Sequence, residues 1–179
     1  VSNTFEEKEY LLKAALQTNE LHVRQAVANT LTKIPESFRL SYETLLNDAS
    51  YETQETALFF LWKAFPAHQK RYVEISKNWV GYQDKNLKML HLYLAYMTHR
   101  DQKEKIKIYM QLLAFSGTNY DSNIQQQALQ KLLNLEIYTE DVLRGLAYGT
   151  AHHRWQYVKF CKDNIRQLIK EQKYRDIFA

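Results

Sequence analysis

Apolar residues recur three and four positions apart along most of this chain, which is the period of an amphipathic α-helix. The apolar face of the first run consists of Phe5, Leu11, Leu12, Ala15 and Leu16. Thr4 and Glu7 stand at its start with the spacing of a capping box. The pattern therefore predicts a helix that begins at Thr4 and ends before Thr18.

Nine further runs with the same period follow the first. One lies within residues 20–38, and we predict the others as helices over 37–47, 50–65, 69–80, 85–98, 103–115, 123–135, 140–149 and 152–172. Pro66 ends the helix 50–65, and Asp101 with Glu104 forms a second capping box. The last residues, 174–179, are predicted as a short tail.

Two of these runs are copies of one motif. Their matching positions lie 31 residues apart and are Ala57, Leu58, Trp62, Phe65 and Pro66 against Ala26, Val27, Leu31, Ile34 and Pro35. Degenerate copies begin at Asp84, Ser122 and His153. The sequence therefore predicts an α-α superhelix, a HEAT- or armadillo-like solenoid of about five antiparallel helix pairs. Residues 115–123 and 148–153 are too short for linkers, so we expect a single domain over 1–179.

Composition supports an all-α protein, because the chain has only 4 glycines and 2 prolines. Its one cysteine, Cys161, excludes an internal disulfide framework and a cysteine-built zinc site. No run approaches the roughly 18 apolar residues of a membrane span, and residues 1–10 lack the features of a signal peptide. We therefore expect a soluble protein, and the sequence does not distinguish a cytoplasmic from a periplasmic location. Since Val1 is not a methionine, we expect an excised fragment of a longer chain or a processed chain.

The net charge of +4 is concentrated at one end. Up to Thr150 the chain has 17 Lys and Arg against 17 Asp and Glu, whereas residues 151–179 have 7 against 3. The five basic residues spaced for one helical face are Lys159, Lys162, Arg166, Lys170 and Lys173. A charged outer face in water explains this pattern, and an anionic protein, nucleic acid or lipid is the alternative.

No residue pattern indicates catalysis. The six histidines include no H-E-x-x-H pair, and no serine or histidine stands beside Cys161 in an arrangement for nucleophilic attack. The glycines form no phosphate-binding loop. We therefore predict no catalytic residue, no metal ligand and no cofactor in this chain.

Aromatic residues and one polar cluster are the remaining candidates. Tyr51, Trp62 and Phe65 share a helical face with Leu58 and are predicted to pack in the core. The polar side of that helix, Gln54 and Glu55, is where a groove-facing role is expected. The most unusual cluster is His152, His153, Arg154 and Trp155 at a predicted helix start. It could line a groove and hold a carboxylate or phosphate, or it could cap the helix and pack between domains.

Three motifs resemble a known family. They are L-L-x-D-x-S-Y-x-T-x-E-x-A-L at Leu45–Leu58, W-x-x-F-P at Trp62–Pro66 and H-H-x-W-Q at His152–Gln156. With the upstream stretches FEEKEYLLKAAL and VRQAVANTLTKIPESFR, they resemble the C-terminal helical domain of bacterial M1-family zinc aminopeptidases over most of the chain. The catalytic motifs of that family, H-E-x-x-H with a downstream Glu and G-x-M-E-N, are absent from this sequence, so no catalytic residue is transferred.

The resemblance implies a non-catalytic HEAT-like domain that packs on the catalytic domain of the same polypeptide and limits peptide access to its cavity. Zinc would belong to that catalytic domain, and the substrate of the parent hydrolase would be a peptide. A free-standing HEAT-like protein-binding scaffold is the alternative. A HEAT-like DNA-binding protein is less favoured, because the charge is balanced through Thr150 and a duplex-tracking groove needs basic residues along several repeats.

Overall fold

The computed structural model describes residues 5–81 and 84–178. All regular structure within these residues is helical, with eleven α-helices, four short 3-10 helices and no strand. This confirms the all-α fold. The predicted capping residue Thr4 lies outside the described residues. The chain divides into two compact units, of which the first ends at Leu94 and the second begins at Ala95. The single domain over 1–179 stays a prediction.

Six helices begin in the first unit. They are α1 (Phe5–Gln17), α2 (Leu21–Thr30), α3 (Arg39–Glu43), α4 (Tyr51–Ala64), α5 (Gln69–Lys77) and α6 (Lys85–Thr98), and the boundary between the units falls within α6. The 3-10 helices are Glu36–Phe38, Thr44–Asn47, Pro66–His68 and Asn78–Gly81. Contacts join α1 to α2, α2 to α4 and α4 to α5. Short connections between consecutive helices are typical of the helix pairs that the periodicity predicts.

Five helices form the rest of the second unit. They are α7 (Gln102–Ala114), α8 (Ser122–Asn134), α9 (Glu140–Gly149), α10 (Trp155–Leu168) and α11 (Gln172–Phe178). Helix α7 packs on α8, α8 on α9, and both α10 and α11 pack on α9. The fully buried side chains at the centre of this unit are Leu112, Leu129, Leu132, Leu143 and Leu146. The two on α8 and the two on α9 each lie three residues apart, as the pattern of the sequence predicts.

Three predicted helices differ from the structure. The run 37–47 folds as α3 between two 3-10 turns, and the run 69–80 leaves α-helical geometry after Lys77. The run 152–172 begins only at Trp155 and ends at Leu168, and α11 replaces the predicted tail. Tertiary contacts explain α11, because Arg175 Nε donates to the carbonyl of Ile169 at 2.7 Å and Tyr174 is buried beside Tyr138.

Most predicted core residues of α4 are buried, including Leu58, Trp62 and Phe65. Tyr51 was predicted to pack with them but is 45% exposed, because it is the first residue of α4 and lies at the end of the packed face. Leu11 is 58% exposed, so it does not belong to the buried face of α1. A single apolar residue at a helix surface is common in proteins and does not change the fold.

Asp48 joins three segments of the first unit. Its side chain is 2% exposed and forms an ion pair with Arg24 of α2, whose Nη1 donates to the carbonyl of Thr18 at 2.7 Å. The other carboxylate oxygen accepts from the backbone N–H of Ser50 at 2.8 Å. Ser50 in turn caps α4 by accepting from the N–H of Thr53. One carboxylate therefore fixes the end of α1, the side of α2 and the start of α4.

Glu43 is a half-buried carboxylate that joins α3 to α5. Arg39 and Arg71 each donate to it, with shortest distances of 2.8 and 2.7 Å, and the Tyr72 hydroxyl donates at 2.8 Å. Burial raises the pKa of Glu43, but the hydrogen bonds from Arg71, Tyr72 and Arg39 outweigh burial and lower the pKa from 4.5 to about 2. The carboxylate is therefore ionised at every pH at which the protein is expected to work.

We predict that Asp48→Ala lowers the free energy of unfolding by about 3 kcal/mol, because it removes the buried carboxylate that pairs with the half-buried Arg24 and accepts from the N–H of Ser50. Urea unfolding followed by circular dichroism measures the change, with an unaltered m-value expected. The matched control is Glu74→Gln, which removes the exposed pair with Lys77 and should cost less than about 0.5 kcal/mol. Equal costs for the two variants would contradict the role of Asp48.

A second prediction concerns acid stability. A carboxylate whose pKa is lowered by folding stabilises the protein above its unfolded pKa, and this stabilisation is lost as the pH falls through the folded pKa. The window for Glu43 runs from 4.5 down to about 2. Its contribution there amounts to about 3 kcal/mol, at about 1.4 kcal/mol for each pH unit.

The measurement compares urea unfolding of wild type and Glu43→Gln across that pH window. The variant starts less stable, and the difference from wild type shrinks as the pH falls, because wild-type Glu43 becomes protonated. Glu74→Gln should instead follow the wild-type profile, since its partner Lys77 is 67% exposed. Parallel profiles for wild type and Glu43→Gln between these pH values would refute the assignment.

Candidate functional site

A cleft of about 610 Å³ opens in the second unit. Its walls come from the end of α7, the loop before α8, helix α9 and the turn that precedes α10. The loop is held by its own backbone, since the N–H of Tyr120 donates to the carbonyl of Gly117 at 3.1 Å. Asp121 then caps α8 by accepting from the N–H groups of Asn123 and Ile124. The loop wall of the cleft is therefore held by hydrogen bonds, and the facing wall is helical.

Close packing of α9 on α10 sets one wall of the cleft. Gly149 ends α9, and a Cβ at this position would overlap the sulfur of Cys161 and lie 3.0 Å from Cζ of Tyr157. Both of those side chains are buried on α10. Burial raises the pKa of the Cys161 thiol to about 11, so it stays protonated and unreactive near neutral pH. Cys161 is therefore a packing residue, as its isolation in the sequence suggests.

His152 lines the cleft, and its orientation is fixed by the chain that follows. Its Nδ1 accepts from the backbone N–H of Arg154 at 3.1 Å, and its ring lies edge-on to Tyr157 at 5.3 Å. Burial, followed by the charges of His153 and Arg154, lowers the pKa of His152. The ring is therefore neutral near pH 7, with Nδ1 as the hydrogen-bond acceptor and the proton on Nε2.

The rest of the predicted cluster lies at the surface. His153, Arg154 and Trp155 are exposed, and Trp155 is 67% exposed although it is the first residue of α10. Tyr148, on the rim of the cleft, is 76% exposed. The structure thus brings His152 into the cleft and leaves the other three residues beside it on the outer surface. Exposed Trp, Tyr and Arg side chains are the types most enriched in protein interfaces.

Charged residues at the mouth of the cleft are partly neutralised. Arg144 lines it and forms an exposed ion pair with Glu140, one turn earlier in α9. Asp141, also in the lining, lies in the first turn of α9, where a negative charge is favoured by the helix dipole. The cleft therefore presents both signs of charge and suits a ligand with mixed polar and apolar groups better than a simple anion.

Gln54 requires a correction. It was expected on an exposed polar side of α4, but its side chain is 6% exposed and its amide donates to the carbonyl of Asp48. Gln125 in the second unit repeats this arrangement, since it is 7% exposed and its amide donates to the carbonyl of Tyr120 at 2.6 Å. Each Gln is the fourth residue after a helix cap, so both are structural. Glu55, by contrast, is half-buried.

The basic residues of the C-terminal end do not form one helical face. Lys159, Lys162 and Arg166 lie on α10, whereas Lys170 lies in the following turn and Lys173 on α11. Asp163 pairs with Lys159 at 2.8 Å and with Arg166 at 3.0 Å, and Glu171 pairs with Lys173 at 3.1 Å. The predicted single stripe is wrong because α10 ends at Leu168, two residues before Lys170.

One pair that the sequence did not reveal is Ser76 with His91. Ser76 Oγ lies 2.7 Å from His91 Nδ1 and donates to the carbonyl of Val73 at 2.9 Å. Both side chains are buried, so the pair joins α5 to α6 inside the first unit. Fifteen residues separate them, and no local spacing rule predicts such a contact. Its role is structural.

No group of three or more His, Cys, Asp or Glu in residues 5–81 and 84–178 is close enough to hold a metal ion. No helix in the described part of the chain is long and apolar enough to cross a membrane.

Comparison of the chain with protein-family models, with curated proteins and with solved structures gave no match.

The packing of α9 on α10 gives a third prediction. Gly149→Ala should lower the free energy of unfolding by about 2 kcal/mol, because the added methyl group has no space beside Cys161 and Tyr157. Gly145→Ala on the same helix is the control, since its Cβ would meet the flexible end of Leu129 at 3.2 Å and Ser116 Oγ at an ordinary 4.0 Å. There the better helix propensity of alanine, about 1 kcal/mol, offsets the tight contact. Thermal and urea unfolding distinguish the two variants, and a neutral Gly149→Ala contradicts the prediction.

Proposed function

We propose that this chain is a non-catalytic, C-terminal helical-repeat domain of an M1-type zinc aminopeptidase. It packs on the catalytic domain of the same polypeptide and limits the access of peptides to the catalytic cavity. The parent enzyme hydrolyses the N-terminal residues of peptides, using zinc held in its catalytic domain. No residue of this chain takes part in the chemical step.

The observation that carries the proposal is the motif run Leu45–Leu58, supported by Trp62–Pro66 and His152–Gln156. Within the run, Asp48 and Ser50 organise the helix starts, and Leu45, Leu46, Ala57 and Leu58 are buried. A motif made of packing and capping residues is what a scaffold domain has to preserve. Its resemblance to the M1 C-terminal domain therefore concerns the architecture of that domain, and the absence of M1 catalytic motifs in this chain fits the same assignment.

The cluster His152, His153, Arg154 and Trp155 is the part of this chain that we assign to contacts with the catalytic domain or with peptide. Its exposed Trp155 and Arg154 have the character of interface anchors, and His152 and Tyr148 belong to an open cleft suited to a peptide with mixed polarity. A rigid helical surface limits access by occupying space beside the catalytic cavity, so this role requires no titrating group.

A free-standing protein-binding scaffold is the second candidate. It is favoured by the same exposed aromatic residues, Trp155 and Tyr148, which any protein partner could cover. The two candidate functions predict different coding sequences upstream of Val1. An aminopeptidase domain requires an H-E-x-x-H helix with a downstream Glu encoded upstream of Val1, and a start codon at Val1 in the natural gene would refute the proposal.

The fourth prediction tests the interdomain contact directly. The catalytic region encoded upstream and the present chain are produced separately and mixed, and association is measured by calorimetry. We expect Trp155→Ala to weaken association about tenfold, as truncation of an interface anchor does, and Trp155→Phe to restore most of it. The exposed Lys77→Ala on α5 is a control of similar exposure and should leave the affinity unchanged within about twofold.

Activity gives a second readout of the same mixture. Adding the chain should lower the hydrolysis of long peptides more than that of a single-residue aminoacyl substrate, because only long peptides are excluded by a domain beside the cavity. No association and no change in the ratio of the two rates would contradict the proposed role. Capture of an unrelated partner, without any effect on the catalytic region, would favour the scaffold instead.

A further inference from the structure

A second, shallower hollow lies between α10 and α11, separate from the cleft that contains His152. Its volume is about 470 Å³, and it is lined by Ile165, Ile169, Arg175 and Phe178. Ile169 is 37% exposed, and Phe178 is half-buried. The hollow exists because α10 stops at Leu168 and the chain turns into α11, which places apolar residues of both helices beside one opening.

One cation, Arg175, lines this hollow, and two more stand on the neighbouring surface of α10. Ile165 lies on α10 and Ile169 is its C-cap, and Lys162 and Arg166, four residues apart, form the adjacent row of the helix surface. Arg175 belongs to the lining itself and is held in place, since Nε donates to the carbonyl of Ile169 at 2.7 Å and Nη1 to Gln172 at 2.9 Å. A guanidinium held in place beside an apolar opening is preorganised to bind a carboxylate.

The positive charge around the hollow is only partly compensated. Between residues 159 and 178 there are six Lys and Arg against three acidic residues, Asp163, Glu171 and Asp176. Asp163 is shared by Lys159 and Arg166 and can neutralise only one of them. Lys162 is exposed and has no ion pair within the described residues, and Lys170 donates only to Gln167. The surface therefore keeps a field that attracts anions.

We infer that this hollow is a docking site for an acidic segment of a protein partner that inserts one apolar side chain between α10 and α11. The apolar lining receives that side chain, and Lys162, Arg166 and Arg175 pair with carboxylates on either side of it. This inference is independent of the proposed M1 origin, because it rests on the charge and the shape of the second unit alone.

Charge complementarity selects a protein over the other anionic partners. A duplex-tracking surface would extend its basic residues over several repeats, whereas the chain is neutral up to Thr150. A membrane-binding helix would present a continuous apolar face, but α10 buries Tyr157, Cys161 and Leu168 against its own unit. A confined hollow with a cationic rim instead matches one apolar anchor flanked by acidic residues.

The test uses two labelled synthetic peptides, one of glutamates with a single central leucine and one with serine in place of the leucine. Binding to the intact chain is measured by fluorescence anisotropy at about 50 and about 150 mM salt. We expect the leucine peptide to bind at least about fivefold more tightly than the serine peptide, because the hollow holds the leucine side chain. The affinity of both peptides should fall as salt rises.

Two sets of variants distinguish the contribution of the basic rim, Lys162 and Arg166, from that of the apolar hollow. The double change Lys162→Gln and Arg166→Gln should weaken both peptides about tenfold, whereas Ile169→Ser should weaken only the leucine peptide. The matched control is Lys103→Gln with Lys107→Gln, an exposed pair four residues apart on α7 that changes the net charge equally. It should change the affinity less than about twofold at the higher salt. Circular dichroism verifies that each variant is folded.

Three results would overturn the inference. Equal losses in the rim and control variants would show attraction by net charge alone. Equal binding of the leucine and serine peptides, or an unchanged preference in Ile169→Ser, would remove the hollow from the site. Tighter binding to phosphatidylserine vesicles or to duplex DNA than to the leucine peptide, lost in the rim variant, would assign the surface to lipid or nucleic acid.

Discussion

The first unit depends on a buried carboxylate that belongs to no helix. Asp48 lies between the 3-10 turn Thr44–Asn47 and α4, and it binds Arg24 and the N–H of Ser50 at the same time. A buried charge costs several kcal/mol unless it is paired and hydrogen-bonded, so this position tolerates few alternatives. Because the partners come from α2 and from the cap of α4, the angle between these helices is fixed by polar geometry as well as by apolar packing. Glu43 does the same for α3 and α5.

The sequence predicts the long helices well, because their periodicity and their caps agree. The bounds of Lys85–Thr98 and Glu140–Gly149 match the prediction, and Asp101 caps α7 as its spacing from Glu104 suggests. Prediction from the sequence fails where a tertiary contact determines whether a segment is helical. Helix α11 depends on the bond from Arg175 to Ile169 and on the burial of Tyr174, and neither contact follows from local spacing. The repeat offset also misleads, since Ala57 is buried whereas its counterpart Ala26 is exposed, and Trp62 lies within α4 whereas its counterpart Leu31 follows the end of α2.

The same contrast between local spacing and tertiary contacts applies to the candidate sites. His152 and Trp155 could be selected from sequence, because two adjacent histidines, an arginine and a tryptophan at a helix start are an unusual combination. The cleft that His152 lines could not, since its other wall is the loop before α8, and the 3.6-residue period carries no information about loops. Gln54 was misassigned for a related reason. A glutamine four residues after a cap can turn back to the preceding carbonyl and become buried, and a polarity pattern places it on the surface.

Arginine and lysine have different roles at the two ends of the chain. Arg24, Arg39 and Arg71 all donate to carboxylates that are at most 10% exposed, so they hold helices together and contribute little to the outer field. The lysines of α10 and α11 are exposed and compete for two acidic side chains. Three arginines of the first unit are thus used in internal pairing, whereas the surplus of basic residues lies after Thr150. Basic side chains therefore serve mainly to join helices in the first unit and stay mainly at the surface near the C-terminal end.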